Sequence, residues 1–287
     1  MIKIQHFFDA ETSTLTYVVW DPNTRDGMVI DPVWNYDQAS STLTSKSSDI
    51  VTSFLKEADI KLHWILETHA HADHVSGAQL LKDNFPQAET GMGERIIEVQ
   101  KFFQPIFDLK YLKTDGSQFD RLFKDSEIMK CGSLEFKVIF TPGHTPACCS
   151  YLIEDAVFTG DALFMPDTGT GRCDFPKGSA DMLYTSVFER LYSLPDKTRV
   201  FTGHDYQTGG REVKYESTIS EEKASNIHIK GKTTREEYVA FRTNRDKTLS
   251  APKLLLPSIQ VNIDGGRFPQ ARADGKSYLN IPISVKP

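Results

Sequence analysis

The pattern of apolar and polar residues divides the first two thirds of the chain into short strands and helices. Strands are expected over residues 2–8, 14–20 and 28–30, because Asp-Pro and Asp-Gly turn signals separate these apolar runs. Apolar residues at helical spacing predict a helix over 50–58, and a compact apolar run predicts a strand over 62–66. The chain therefore opens as a β-meander that leads into a helix and a further strand.

The same alternation continues to about residue 202. Helices are predicted near 78–81 and 96–103 and, as an amphipathic stretch, over 182–194, and the predicted strands are 134–140, 150–153, 157–159 and 199–202. Each half of this region runs from strands to helices. Two such halves would bury their sheet faces by stacking as a sandwich with helices outside.

From Tyr215 onward the chain becomes more charged. A helix is expected over residues 235–245, followed by an extended tail bounded by prolines, and the leucines at 254–256 are expected to pack on the main body. We therefore predict a catalytic domain over 1–214. Residues 215–287 are predicted to be a helical and extended appendage on the same domain that contributes stability or a dimer contact.

Composition and charge restrict the class of protein. With 39% hydrophobic and 25% charged residues, the chain has enough apolar material for a globular core. Its net charge of -6 argues against nucleic-acid binding, and no apolar stretch is long enough to cross a membrane. The N-terminus lacks the pattern of a signal peptide, and the four cysteines show no disulfide spacing, so a cytoplasmic protein with reduced thiols is expected.

One loop carries an unusual concentration of metal-binding residue types. His69, His71, Asp73 and His74 all lie within six positions directly after the predicted strand 62–66. Imidazole and carboxylate groups are ligands that suit zinc, iron and related metals. A structural explanation for three histidines at this spacing is much weaker than a metal site.

Three further loops supply matching groups. His144, Asp161 and His204 each follow a glycine just after an apolar strand, where a rigid element holds the ligand and the glycine lets the backbone turn sharply. Any one of them alone would more often be an ordinary buried or turn residue. Together with the histidine-rich loop they predict a metal centre.

The ligand set is large enough for two metals. One would be bound by His69, His71 and His144, the other by Asp73, His74 and His204, with Asp161 bridging. Paired zinc ions of this kind would activate a water molecule and polarise a scissile carbonyl. A metal-dependent hydrolase is therefore one interpretation.

The order H-x-H-x-D-H, G-H, G-D and G-H over residues 2–206 resembles the metallo-β-lactamase superfamily. The resemblance implies an α/β fold, a four-layer αββα sandwich with one or two metals at the sheet edge and a C-terminal extension. Glyoxalase II, a thioester hydrolase of this superfamily, carries the same ligand string. A binuclear zinc hydrolase acting on hydroxyacylglutathione is accordingly our alternative hypothesis.

Two other elements are similar to the persulfide dioxygenases. They are Gly171-Arg172-Cys173-Asp174-Phe175-Pro176 and Gly203-His204-Asp205-Tyr206, and residues 141–148 and 254–266 resemble the bacterial branch of that family. The resemblance implies one iron(II) per chain, bound by His69, His144 and Asp161 and using dioxygen to oxidise glutathione persulfide, or a related small persulfide, to sulfite and the free thiol. It also suggests a homodimer.

In that case His71, Asp73, His74 and His204 would orient the ligands, and Arg172 and Tyr206 would hold glutathione. A salt bridge with Asp174 is an equally good explanation of Arg172. Cys148, Cys149 and Cys173 are expected to be buried and unreactive, because no base accompanies them. His6, His63 and His228 belong to none of the ligand loops and are predicted to be structural or surface residues.

Two further hypotheses about function have weaker support from the sequence. A non-catalytic metal-binding or sensor module would need a closed coordination sphere, whereas ligands on polar loops favour an open site. A secreted β-lactamase would need an export signal.

Overall fold

The computed structural model describes residues 1–283, which form fifteen strands, seven α-helices, a π-helical segment and a short 3-10 helix at Thr208–Gly210. In chain order the elements are β1 (Lys3–Asp9), β2 (Thr14–Trp20), β3 (Asp26–Ile30), β4 (Val33–Asp37), β5 (Thr42–Thr44), α1 (Lys46–Glu57), β6 (Lys61–Leu66), β7 (Val75–Ser76), α2 (Ala78–Asn84), β8 (Glu89–Gly93), α3 (Ile96–Ile106), β9 (Arg121–Phe123), β10 (Ile128–Cys131), β11 (Leu134–Phe140), β12 (Cys149–Ile153), β13 (Ala156–Phe158), α4 (Ala180–Tyr184), β14 (Arg199–Phe201), β15 (Glu216–Thr218), α5 (Ile219–Ser225), α6 (Arg235–Asp246) and α7 (Leu255–Asn262). Helix α4 continues as a π-helix through Thr185–Leu191.

Two six-stranded sheets form the centre of the molecule. Their strand orders are β1-β2-β3-β6-β8-β9 and β10-β11-β12-β13-β14-β15, and a small third sheet has the order β5-β4-β7. Within the large sheets β3, β6, β8 and β9 run parallel to one another, as do β13 and β14. Parallel neighbours end at the same edge of a sheet, so the loops after β3 and β6 emerge together.

Strand β2 shows why helices cover both sheets. Tyr17 and Val19 lie in the core between the sheets, whereas Val18 and Trp20 pack with Leu55 of α1 in the outer layer. Successive side chains point to opposite faces of a strand, and all seven residues of β2 are buried, so both faces must be covered. The second sheet is covered in the same way by α4 and its π-helical continuation. The predicted αββα sandwich is confirmed.

The predicted strands and helices before residue 202 are present, with ends shifted by a few residues. Seven strands were not predicted: β4, β5, β7, β8, β9, β10 and β15. The prediction of an extended tail is wrong over Leu255–Asn262, which is a helix. Its residues are apolar or buried on nearly every side and include Pro257, so no helical periodicity marks them in the sequence.

The C-terminal segment packs on both halves of the sandwich. Strand β15 pairs with β14, and Tyr238 of α6 lies in the cluster that covers the second sheet. Ile259 of α7 packs in the cluster that contains Val99 and Phe103 of α3, and Leu254 is buried, as expected. No helix within residues 1–283 is long and apolar enough to cross a lipid bilayer.

Candidate metal centre

The predicted ligands lie together at one edge of the sandwich, at the ends of strands from both sheets. His69 follows β6, His144 follows β11, Asp161 follows β13 and His204 follows β14. The two sheets are joined at this edge, since the backbone N–H of Leu15 donates to the carbonyl of Gly203 over 2.8 Å. Ligands at the ends of paired strands are held by rigid elements.

Two glycines let the ligand loops approach one another. Gly160, directly before Asp161, has a φ of 49°, and a Cβ there would lie 2.4 Å from Oγ1 of Thr68. Gly143, before His144, has a φ of 144°, and a Cβ would lie 2.4 Å from the backbone nitrogen of Leu183. Any other residue would strain the backbone and push the neighbouring element away.

The first group of ligands is His69, His144 and Asp161, whose ligand atoms lie within 4.8 Å of one another. Nε2 of His144 is 3.4 Å and Nε2 of His69 is 3.9 Å from Oδ2 of Asp161. All three side chains are buried. Two imidazoles and one carboxylate therefore face a common point.

The second group is His71, Asp73, His74 and His204, again within 4.8 Å of one another. Nε2 of His204 lies 3.0 Å from Oδ2 of Asp73 and 3.3 Å from Oδ1 of Asp161. Asp161 thus presents one oxygen to each group. The structure brings all seven predicted residues together, in an arrangement that could hold one or two metals.

In each histidine of the centre, one ring nitrogen faces away from the metal site, and that nitrogen has a hydrogen-bond partner. Nδ1 of His144 donates to the carbonyl of Arg172 over 2.7 Å, and Nδ1 of His69 lies 3.0 Å from Oγ1 of Thr68. Such contacts fix the tautomer and the orientation of a metal-binding imidazole. In both rings Nε2 remains directed at the centre.

Thr14 and the neighbouring Ser13 orient two imidazoles of the second group by hydrogen bonding. Oγ1 of Thr14 lies 3.2 Å from Nδ1 of His74, and Nδ1 of His204 lies 3.2 Å from the carbonyl oxygen of Ser13. Thr14 is itself buried. The N-terminal strands thus help to orient two imidazoles.

His71 is held by two buried carboxylates. Its Nε2 lies 3.0 Å from Oδ1 of Asp31 and 3.0 Å from Oε2 of Glu67. Burial alone would lower the pKa of His71, but these carboxylates raise it well above its ordinary value. Asp31 also accepts hydrogen bonds from the backbone N–H and the hydroxyl of Thr68, at 2.7 and 2.8 Å. Nε2 of His71 is therefore engaged, and Nδ1 faces the centre.

Five buried polar atoms in the centre make no hydrogen bond of acceptable geometry within residues 1–283. They are Nε2 of His69, Nδ1 of His71, Nε2 of His74, Nε2 of His204 and Oδ1 of Asp161. An unpartnered buried polar atom is strongly unfavourable, and five converging ones would be hard to maintain. Nε2 of His69 belongs to the first group and the other four atoms face the second, so the residues fit metal binding, and cations at both groups would satisfy all five.

The electrostatic environment favours the metal-binding protonation states of His69, His74 and Asp73, whereas neighbouring carboxylates outweigh burial and raise the pKa of His71 and of His204. Burial, followed by the neighbouring imidazoles, lowers the pKa of His69 well below its ordinary value, and burial also lowers that of His74. For Asp73 burial raises the pKa, but His204 and His74 lower it to a net value below the ordinary one. Neutral imidazoles and ionised carboxylates are the forms that bind metals.

A cavity of about 460 Å³ opens onto the centre. His144, Asp161 and Asp73 lie at its base, and Phe164 and Leu249 contribute apolar wall. The centre is therefore accessible, which argues against the closed coordination sphere of a purely structural metal module.

Arg172 and Tyr206 both line this cavity. The guanidinium of Arg172 donates to the two carboxylate oxygens of Asp174 over 2.5 and 2.6 Å, and to the carbonyl of Ser250 over 2.7 Å. The salt bridge that was the alternative explanation of Arg172 is thus present. Tyr206 is half-exposed and stacks on His204 with ring centroids 5.8 Å apart.

The cysteines and the remaining histidines agree with their predicted roles, with one addition. All four thiols are buried and free, and burial raises the pKa of Cys148 and of Cys149 to about 12, so neither is a thiolate near neutral pH. His6 stacks on Tyr215, and His63 lies 2.8 Å from Asp26. His228 lines the cavity, where it accepts the backbone N–H of Thr170 over 3.0 Å.

Four residues of the site were not predicted: Thr14, Asp31, Glu67 and Asn262. Asp31 directly follows β3 and occupies a strand-end position like those of the ligands, a signal that could have been used. Glu67 and Thr14 carry no motif. Asn262 lies almost two hundred residues from the histidine loop and donates to the carbonyls of His71 and His74.

The sandwich and its edge site define a class of metal-dependent enzymes, and sequence comparison gives the family. The model of the metallo-beta-lactamase superfamily matches residues 10–204. The chain therefore belongs to the metallo-beta-lactamase superfamily, as predicted.

Relatives within the superfamily have different names. The chain is 47% identical over 284 residues to glyoxylase B2 of Dictyostelium discoideum, covering 98% of this chain and 97% of that protein. It is 30% identical over 230 residues to the mitochondrial persulfide dioxygenase ETHE1 of Bos taurus, covering 79% and 76%. Among solved structures, ETHE1 from Myxococcus xanthus superposes with a TM-score of 0.74 and 32% identity, over 92% of this chain and all of that one.

Proposed function

We propose that the protein is an iron-dependent persulfide dioxygenase, which oxidises glutathione persulfide or a related small persulfide. The observation that carries the proposal is the buried face of His69, His144 and Asp161, open to a cavity on one side. Two histidines and one carboxylate with open positions are typical of non-haem iron oxygenases. The similarity to proteins named persulfide dioxygenase supports the same assignment.

The overall reaction is balanced by one water molecule. A persulfide R–S–SH, dioxygen and water give R–SH, sulfite and two protons; the S–S bond breaks, and the terminal sulfur transfers four electrons to dioxygen. Bound iron(II) supplies the redox chemistry that allows dioxygen to react with this sulfur. The partly apolar cavity, with Phe164 and Leu249 in its wall, would hold the sulfur beside the metal-binding face.

Arg245 and Lys253 give the cavity a basic rim. Both line it, and neither has a hydrogen bond or ion pair from its side chain within residues 1–283. Arg242 is less available, because its guanidinium donates to Asp246 and to the carbonyl of Thr170. A thiol carrier with free carboxylates, such as glutathione, would therefore meet two unpaired cations at the mouth.

A binuclear zinc thioester hydrolase remains the second candidate. The observation in its favour is the complete second group, with Asp161 presenting an oxygen to each side. The relative named glyoxylase B2 is consistent with it. In this alternative the seven side chains would hold a metal pair that activates water.

The two candidates differ in what they consume. Iron-loaded protein given glutathione persulfide in air should take up dioxygen and release sulfite in a one-to-one ratio, and Asp161→Ala should abolish both. Zinc-loaded protein should hydrolyse a hydroxyacylglutathione thioester only slowly. No oxygen uptake with iron, together with rapid thioester hydrolysis with zinc, would overturn the proposal.

A further inference from the structure

Helix α7 reaches the metal centre from the C-terminal segment, beyond the residues that the superfamily model matches. Its last residue, Asn262, is buried and faces the histidine loop. The amide Nδ2 donates to the carbonyls of His71 and His74, each over 2.8 Å, and Oδ1 accepts the backbone N–H of Ser76 over 2.8 Å. The side chain of Asn262 therefore bonds to three backbone groups within residues 71–76.

The orientation of this amide is determined by its partners. Two carbonyl oxygens face Nδ2 and one N–H faces Oδ1, so the reversed amide would oppose like groups at all three contacts. All three hydrogen bonds are buried. An unmade hydrogen bond at such a place is more unfavourable than one at the surface.

The contacts continue from Ser76 to an imidazole. Oγ of Ser76 donates to Oε1 of Glu67, and Oε2 of Glu67 lies 3.0 Å from Nε2 of His71. Asn262 thus holds His71 by its backbone carbonyl and, through Ser76 and Glu67, is linked to its ring. Both ends of the turn between His71 and His74 are fixed.

Helix α7 is itself held rigidly. Ile259 and Ile263 are fully buried against the cluster of α3, and Gln100 of α3 donates to the carbonyl of Ile263 over 2.9 Å. Gln79 of α2 donates to the carbonyl of Gly265 over 2.6 Å. The helix end that carries Asn262 is therefore connected to two other helices, and it can impose a geometry on the loop.

We propose that Asn262 is a positioning residue of the metal centre, which sets the backbone of the His71–His74 turn so that both imidazoles and Asp73 are directed at the centre. The C-terminal segment is then part of the site, beyond the stability or dimer role predicted from the sequence. In the binuclear zinc alternative these side chains would bind the second metal, and in the proposed iron enzyme they would surround the iron-binding face, so the test measures metal affinity and not turnover.

Metal affinity tests this directly. We expect Asn262→Ala to weaken binding of cobalt(II) and zinc(II) by about ten- to a hundredfold, the range found when groups supporting metal ligands are removed. Affinity would be measured by chelator competition, with the visible absorption of bound cobalt(II) reporting on its coordination. Neither readout requires persulfide or oxygen, so failure of the proposed reaction would leave the result intact.

Gln260→Ala is the matched control. Gln260 is a buried amide on the same helix, but it donates to the carbonyls of Leu256 and Asn280, each over 2.8 Å, and none of its contacts reaches the histidine loop. We expect this variant to bind cobalt(II) within twofold of the wild type with an unchanged spectrum, even if it lowers thermal stability.

Asn262→Asp is the second test variant, to be used if Asn262→Ala does not fold. It preserves the volume and the acceptor for Ser76, but it cannot donate to the two carbonyls, so it should lose affinity too. The proposal would be overturned if the folded variant bound both metals within twofold of the wild type, or if Gln260→Ala lost as much affinity and changed the cobalt spectrum equally.

Discussion

His144 donates its Nδ1 hydrogen to the backbone carbonyl of Arg172 over 2.7 Å. A residue of the element that resembles the persulfide dioxygenases thus orients a predicted metal ligand through its main chain, while its side chain pairs with Asp174. The two contributions can be separated by mutation, because a substitution removes only the guanidinium.

Arg172→Ala should therefore leave metal affinity within about twofold of the wild type. If the guanidinium also holds substrate, the KM for glutathione persulfide should rise about tenfold, the effect of losing a charge-assisted hydrogen bond. Asp174→Asn is the control, since it removes the salt bridge and keeps the guanidinium. Equal rises in KM for both variants would assign Arg172 to the salt bridge alone.

Substitution of the two ligand groups should have unequal effects on metal content. We expect Asp161→Ala to lose the metal, because its Oδ2 faces both His69 and His144. His204→Ala should retain about one iron per chain with reduced turnover, since it is outside the proposed iron-binding face. Elemental analysis decides between the candidates: a fall from two metals to one in His204→Ala would favour the binuclear hydrolase.

The basic rim should select for anionic thiol carriers. Arg245→Gln and Lys253→Gln should each raise the KM for glutathione persulfide up to about fivefold with little change in kcat, because an exposed ion pair contributes up to about 1 kcal/mol. The persulfide of glutathione diethyl ester should be insensitive to both changes. Lys247→Gln, an exposed position outside the cavity lining, is the control. An equal KM rise with the ester would refute the assignment.

Glu222 should make stability depend on pH. It is fully buried, accepting from Ser217 over 2.5 Å and Asn226 over 2.8 Å, and burial raises its pKa from 4.5 to about 7. Between these values the folded state holds a proton that the unfolded state releases. The stabilisation is therefore complete below about pH 4.5 and is lost as the pH rises through 7.

The matched variant isolates this effect. Over that interval the wild type should lose about 3 kcal/mol of unfolding free energy relative to Glu222→Gln, at roughly 1.4 kcal/mol per pKa unit. Denaturant titrations of both metal-free proteins at pH 5, 6, 7 and 8 would measure the difference. Parallel stability curves for the two proteins would show that Glu222 does not titrate in this range.

The ligands could be predicted from the sequence because each of their loops is local and follows an apolar strand. His69, His71, Asp73 and His74 lie in one motif, and His144, Asp161 and His204 each follow glycine. The supporting groups could not be predicted, apart from Asp31 at the end of β3. Glu67 and Asn262 acquire their roles only through contacts with distant residues or with the folded loop.

The strands and helices also divide into those marked by local sequence and those that depend on tertiary contacts. Strand β2 is bounded by turns and entirely apolar or β-branched, so its limits were predicted to the residue. Strand β8, Glu89–Gly93, contains two glycines and one methionine, which are poor strand signals, and it forms because it pairs with β6 and β9 on either side. Tertiary pairing overrides weak local preference there, as burial does in α7.

The metal content of protein purified without oxygen, from cells supplied with both iron and zinc, distinguishes the iron dioxygenase from the zinc hydrolase. We expect about one iron per chain, bound by His69, His144 and Asp161, and oxygen uptake proportional to that iron. Two zinc ions per chain in a protein that hydrolyses thioesters and consumes no oxygen would contradict it.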